Sequence, residues 1–270
     1  MRATAGPGQD DLFLGIDLGW VETSKGRTGL AAVDGSGRLT ACARVRTDDE
    51  IAAWVAQQPG RVVVAAVDAP LVVPNATGSR EPEKLMGKHF GSFGASAYPS
   101  NHALVGARPR AQRLAERFGW AVDPAAPTGG TGTVCIEVYP HPAMVGLFVL
   151  GYRLGYKKGG TARRAPAFAE LAGHLESIAV LRLAEHPRWQ EIRRTIAAPA
   201  PGDLNRVEDE VDAVLCAHLA WLWHHHREAL HVYGSLEEGY VVAPPPPTHR
   251  AVRPVAARPP VAPPREPPPR

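Results

Sequence analysis

The sequence predicts an α/β fold, a mixed sheet flanked by helices, with helical insertions between its strands. Three observations carry that prediction. Two short apolar runs, Leu12-Phe13-Leu14-Gly15-Ile16 and Val62-Val63-Val64-Ala65-Ala66-Val67, each end in an aspartate, Asp17 and Asp68. Runs of this length with a breaker behind them are the pattern of strands buried on both faces. Two further strand patterns are joined by Asp34-Gly35, a strong hairpin signal. A long helical pattern near the end of the chain is lined with small residues, Ala213, Cys216, Ala217 and Ala220, which let a helix lie close to a sheet.

The elements follow in order. The first strand is expected at residues 11–17 and the second at 28–33. After the turn Asp34-Gly35-Ser36-Gly37 comes a third strand at 38–46. Thr47 with Glu50 three residues on is a capping box, so a helix starts there and runs to Gln57, ended by Pro59-Gly60. The fourth strand is 62–67. A loop at 74–79, a helix at 80–88, a Gly/Ser/Pro/Tyr segment at 91–100, a helix at 109–118 and a loop at 124–132 form an irregular stretch. The fifth strand, 133–139, is stopped by Pro140. Helical patterns then occupy 142–150, 165–183 and 187–195, and 207–230 reads as one closing helix. The resulting order β-β-β-α-β-α-β-α is that of a ribonuclease H-like fold. It makes residues 1–243 one domain, with insertions at about 74–132 and 141–206.

From residue 244 onward, 12 of 27 residues are proline, so this segment is expected to be a disordered tail able to dock on a protein partner. That tail holds five Arg and one Glu. The net charge of +3 therefore comes from the tail, and the rest of the chain carries −1. A slightly acidic body excludes a broad electrostatic footprint for nucleic acid. No apolar run reaches membrane-spanning length and no apolar signal region precedes the first strand. The expectation is a cytoplasmic protein with no membrane partner. Three dispersed cysteines, Cys42, Cys135 and Cys216, fit neither a disulfide framework nor a zinc site.

Strand-end aspartates are where open α/β sheets put their chemistry. With the closing helix drawn at about 100° per residue, Glu208 and Asp212 fall inside its apolar arc, Asp209 on the rim, and Glu210 away from it. A carboxylate in an apolar stripe is costly unless compensated. Asp17, Asp68 and Asp212 together are hard oxygen donors of the kind Mg²⁺ or Mn²⁺ prefers, and Asp209 adds a second-tier ligand. Glu137, ending the fifth strand, is a fourth ligand or a group that orients Lys157 or Arg80. His141 is a proton shuttle or an ordinary loop histidine. Lys157 holds a phosphate as a point charge or is a solvated turn residue. Arg80 and Glu83 share a helix face.

These residues lie in segments that resemble a known family. Gly15-Ile16-Asp17-Leu18-Gly19-Trp20, Val67-Asp68-Ala69-Pro70-Leu71, Arg80-x-x-Glu83, Glu137-Val138-Tyr139-Pro140-His141, Tyr156-Lys157, Asp209-x-x-Asp212-Ala213 and Glu238-Gly239-Tyr240-Val241-Val242 appear in the order of the predicted ribonuclease H-like nuclease family catalogued as domain of unknown function 429. The resemblance covers roughly residues 12–244. It implies a ribonuclease H-like fold with an acidic metal site, in which Asp17, Asp68 and the pair Asp212 and Asp209 are the ligands. The family often has Cys before the Glu of Arg-x-x-Glu; here that residue is Pro82. The expected activity is metal-dependent phosphodiester hydrolysis of nuclease type. Asp17, Asp68, Asp212, Glu137 and Asp209 would be catalytic, and Lys157, Arg80 and His141 would meet a nucleic-acid or nucleotide substrate. Two alternatives stand beside it: an actin-like or sugar-kinase-like phosphotransferase, for which Asp17-Leu18-Gly19 resembles a first phosphate loop, and a non-catalytic interaction protein on the same fold.

Overall fold

The computed structural model describes residues 10–20 and 26–254. Five strands, β1 (Asp11–Leu18), β2 (Thr28–Asp34), β3 (Leu39–Val45), β4 (Arg61–Val67) and β5 (Val134–Glu137), form one mixed sheet in the order β3-β2-β1-β4-β5. β1 is antiparallel to β2 and parallel to β4, β2 is antiparallel to β3, and β4 is parallel to β5. The expected strands are thus all present, and the hairpin signal at Asp34 joins β2 to β3. Asp34 Oδ1 accepts from the Ser36 and Arg38 amides, closing that turn.

Helix α1 (Asp48–Ala56) starts in the predicted capping box, with Glu50 N donating to Thr47 Oγ1 at 3.1 Å and the Glu50 carboxylate accepting from the Thr47 amide. Between β4 and β5 come α2 (Glu81–Phe90), the short α3 (His102–Val105) and α4 (Arg110–Phe118). After β5, Pro140 opens helix α5 (Pro140–Leu147) at its first position, where a missing amide costs nothing. Helix α6 (Thr161–Glu176) starts earlier and ends sooner than its pattern suggests, and α7 (Pro187–Ala197) follows.

Helix α8 (Leu204–His225) lies across the sheet and brings the distant parts of the chain together. Alternate residues of a strand share a face, and three of them in β1 meet α8 in turn. Phe13 packs on His224 and His225, with ring centroids 5.4 and 5.3 Å away. A Cβ on Gly15 would collide with the backbone of Ala213 and Ala217. Asp17 comes next, under the turn of α8 that carries Asp212. On β2, Gly29 passes equally close to the backbone of Asp209.

Two expectations need correction. The closing helix does not reach residue 230. It stops at His225, and β6 (His231–Ser235) and β7 (Gly239–Ala243) form a separate antiparallel hairpin. This hairpin lies on α2, where Phe90 meets Tyr233, and reaches β5 through Tyr240 OH, which donates to Cys135 O. The tail is ordered where it begins. Pro244 is buried beside Gly146, its carbonyl accepts from Tyr233 OH at 2.8 Å, His249 Nε2 lies 2.9 Å from Leu150 O, and Val252 N donates to Gly151 O at 2.7 Å. Proline lacks the amide donor, but the Pro244 carbonyl still accepts, and His249 and Val252 supply the other two bonds. The remainder of the expected disordered tail, 255–270, lies outside the described residues. All three cysteines are free. Among the described residues no helix is long and apolar enough to cross a membrane.

Candidate functional site

Asp17 is the last residue but one of β1 and Asp68 follows β4 directly, so the parallel pairing of these strands sets the two residues side by side. The Asp68 amide donates to Ile16 O at 2.8 Å and fixes that register. Asp212 reaches the same place from α8 and is fully buried. Its Oδ1 accepts from Tyr156 OH at 2.7 Å, and its Oδ2 lies 2.6 Å from Lys157 Nζ. That contact is a buried ion pair between the ammonium and the carboxylate. One dipeptide, Tyr156-Lys157, therefore serves both oxygens of one carboxylate.

The acids lie close enough to act on one another's charge. Burial pushes the Asp17 carboxyl well above the usual carboxylate range; Asp212, Asp68 and Asp209 add to the rise and Lys157 opposes it. Asp68 is pushed up to about 7, first by burial and then by Asp212 and Glu137, again against Lys157. Burial works against the Lys157 ammonium, yet Asp212, Tyr156, Asp17 and Asp68 together hold its pKa well above the ordinary lysine value. Lys157 is thus ion-paired with Asp212 and within reach of the charges of Asp17 and Asp68. Among the described residues no group of three or more His, Cys, Asp or Glu stands in a metal-chelating arrangement. The donor set is nonetheless of the hard-oxygen kind that divalent cations take, with Lys157 Nζ against Asp212 Oδ2 where a cation's charge would otherwise be needed.

The other predicted residues divide. Asp209 is on the rim, 3.3 Å from Arg44 Nε, and acts on Asp17 and Asp212 through its charge. Glu208 belongs to the neighbourhood too: Arg164 binds it at 2.5 Å, and burial with the charges of Asp212 and Asp209 pushes its carboxyl up to about 7. Glu137 is not among the clustered carboxylates. Both its oxygens are taken by Arg80, at 2.5 and 2.9 Å, and one also accepts from the Leu71 amide at 2.8 Å. Arg80 is buried and also binds Glu83, so the pair expected to share a helix face is an internal network. Glu137 thus takes the second of its expected roles, orienting Arg80, and the pair braces β5 against the start of α2 beside a small cavity. Glu210, expected to face away from the apolar arc, is fully buried and held by Arg188 at 2.6 Å.

Of the clustered acids Asp17 and Asp68 line a cleft of about 370 Å³, together with Lys157, His141, Arg153 and Lys158 among others, while Asp212 lies buried behind it. His141 is buried, its Nδ1 has no partner among the described residues, and burial with the charges of Lys157 and Arg153 lowers its pKa to about 3. It is neutral at physiological pH, which removes the protonated shuttle. The sequence reading missed Trp20, Tyr98, Tyr139, Arg153 and Arg163 in this cleft. The Lys157-Lys158-Gly159-Gly160 stretch just before α6 was the available signal for the basic wall.

Fold and site define an α/β protein whose single mixed sheet and crossing helix gather three aspartates around one lysine at the base of a cleft. A family model described as protein of unknown function, DUF429, matches residues 15–238, and the chain belongs to that family. Comparison with curated proteins and with solved structures gave no match.

Proposed function

We propose that this protein is a metal-dependent phosphodiester hydrolase of nuclease type, built on a ribonuclease H-like fold. The sheet order β3-β2-β1-β4-β5, with a helix laid across β1, supports the fold reading. The observation that carries the activity is the grouping of Asp17, Asp68 and Asp212 within reach of one another's charge, with Lys157 as the cation beside them. Like charges gathered this way repel one another and favour a bound cation. Asp17, Asp68 and Asp212 would hold Mg²⁺ or Mn²⁺, with Asp209 in support. Such an ion supplies the Lewis acidity that phosphodiester cleavage requires.

The remaining roles belong to the chain itself. Lys157, freed from Asp212 once the carboxylates are otherwise neutralised, suits a phosphate in the cleft. Tyr156 keeps Asp212 oriented through Oδ1. His141, neutral and lining the cleft, offers a hydrogen bond to substrate or water without adding charge. Arg80, Glu83 and Glu137 hold β5 and α2 rigid beside the floor.

The phosphotransferase alternative needs two such sheets clamping a nucleotide; the described residues contain one five-stranded sheet and a two-stranded hairpin. Incubation with single-stranded, duplex and hybrid nucleic acids plus Mn²⁺ tests the hydrolase reading. Cleavage abolished by Asp212→Asn is expected; no cleavage of any substrate by protein that binds Mn²⁺ would defeat it. Tight ATP binding without nucleic-acid binding would favour the phosphotransferase. Unchanged function in Asp17→Asn would favour the non-catalytic protein.

A further inference from the structure

The cleft carries groups that hydrolysis alone does not require. Among the described residues the large exposed hydrophobic side chains are Trp20, Tyr98, Leu104, Val149 and Val252, and the two aromatic ones both line the cleft. Trp20 is 39% exposed and Tyr98 66%, so each offers a ring to whatever enters. The cleft is also lined by Arg153, Lys158 and Arg163, none of which pairs with a carboxylate among the described residues. Lys158 Nζ donates to Tyr98 OH at 3.1 Å and lies 5.6 Å from its ring centroid, which joins the aromatic and basic groups. Helix α6 begins directly after Lys158-Gly159-Gly160, and its cap residue Gly160 supplies no side-chain acceptor. The amides of that first turn favour an anion.

From these groups we infer that the cleft binds single-stranded nucleic acid, taking one unstacked nucleotide over a short footprint; this deepens the hydrolase reading and rests on it. A volume of about 370 Å³ is of small-ligand size and does not admit a helix. Every base has a face that stacks on an aromatic ring, but in a duplex those faces are covered, and extruding one costs a few kcal/mol. The footprint is short because the cations are few: three in the cleft besides Lys157, on a body that carries −1 outside its proline-rich end.

The test is fluorescence anisotropy of the full chain with a labelled oligothymidylate about a dozen nucleotides long, against a hairpin duplex of equal length. Both are measured in EDTA so that nothing turns over. The single strand should bind at least tenfold tighter than the duplex. Its log K should fall with log salt at a slope of about −2, three phosphate contacts at roughly 0.7 each. Trp20→Ala and Tyr98→Ala should each weaken it by about tenfold, with the melting temperature unchanged because both rings are exposed. Equal or tighter duplex binding, no binding of either oligonucleotide, or indifference to both substitutions overturns the inference. Single-strand binding that needs Trp20 but leads to no cleavage with Mn²⁺ sinks the hydrolase and leaves this inference standing. Duplex cleavage indifferent to Trp20 and Tyr98 does the reverse.

Discussion

Replacing Lys157 by methionine keeps the length of the side chain and removes the ammonium that lies 2.6 Å from Asp212 Oδ2. Asp212 is fully buried, so the change strands a charge in the interior, a loss of about 3–5 kcal/mol when the pair is wholly enclosed. The lysine side chain keeps 29% of its surface exposed, which sets the expectation at the low end, about 3 kcal/mol near pH 8. The sign with pH follows from the neighbours. The Asp68 carboxyl is pushed up to about 7 and that of Asp17 is raised in the same direction, so at pH 5 Asp68 is largely protonated and the cluster carries less negative charge than at pH 8. Lys157 is charged at both pH values, because its folded pKa is raised above the ordinary value near 10.5 and its contribution fades only above that. The cost of Lys157→Met should therefore be smaller at pH 5 than at pH 8. Urea unfolding of both proteins at the two pH values, without divalent ions, gives the comparison. An equal loss at both, or a more stable variant at pH 8, would refute the shared-ammonium account.

Other perturbations address the cluster and its scaffold. In the unsubstituted protein without divalent ions, the folded state keeps the Asp68 proton that the unfolded chain gives up near 3.8. Stability should then fall as pH rises from about 4 to about 7, by an amount on the order of 4 kcal/mol at about 1.36 kcal/mol per unit. Mn²⁺ added at pH 8 should raise the urea midpoint again; a flat pH profile unaffected by Mn²⁺ would contradict this. Arg80→Met leaves Glu83 and Glu137 buried without their cation and should cost about 3–5 kcal/mol in the same assay, against which a loss below about 1 kcal/mol would count. Gly15→Ala forces α8 off β1 and should cost at least about 1–3 kcal/mol. It should also weaken Mn²⁺ binding, since Asp212 moves away from Asp17; unchanged calorimetric affinity would place the ion elsewhere.

Much of the site was legible because its determinants are local. Asp17 and Asp68 stand out as carboxylates closing apolar runs, and strand pairing then brings them together without further information. Asp212 stands out as an acid in an apolar arc. Glu210 shows the limit of that argument. A helical wheel assumes one buried face, yet α8 is covered by the sheet on one side and by α6 and α7 on others, so Arg188 of α7 holds an acid the wheel turns outward. Glu137 could be read as a ligand or as a group that orients Arg80, and the second holds, since Arg80, 57 positions away at the cap of α2, takes both its oxygens. The β6–β7 hairpin did have a signal, Tyr240-Val241-Val242 between Gly239 and Pro244. Extending the closing helix to residue 230 obscured it. The ordered start of the tail was not readable, because its bonds go to Tyr233, Leu150 and Gly151, whose positions only the fold sets.

The central claim is tested most directly by soaking a crystal of the protein in Mn²⁺ and locating the ion by its anomalous scattering. The account predicts one strong site with oxygens of Asp17, Asp68 and Asp212 in its coordination shell and the Lys157 ammonium moved off Asp212. A difference map with no such peak, Lys157 still against Asp212, or manganese bound only at other carboxylates would contradict it.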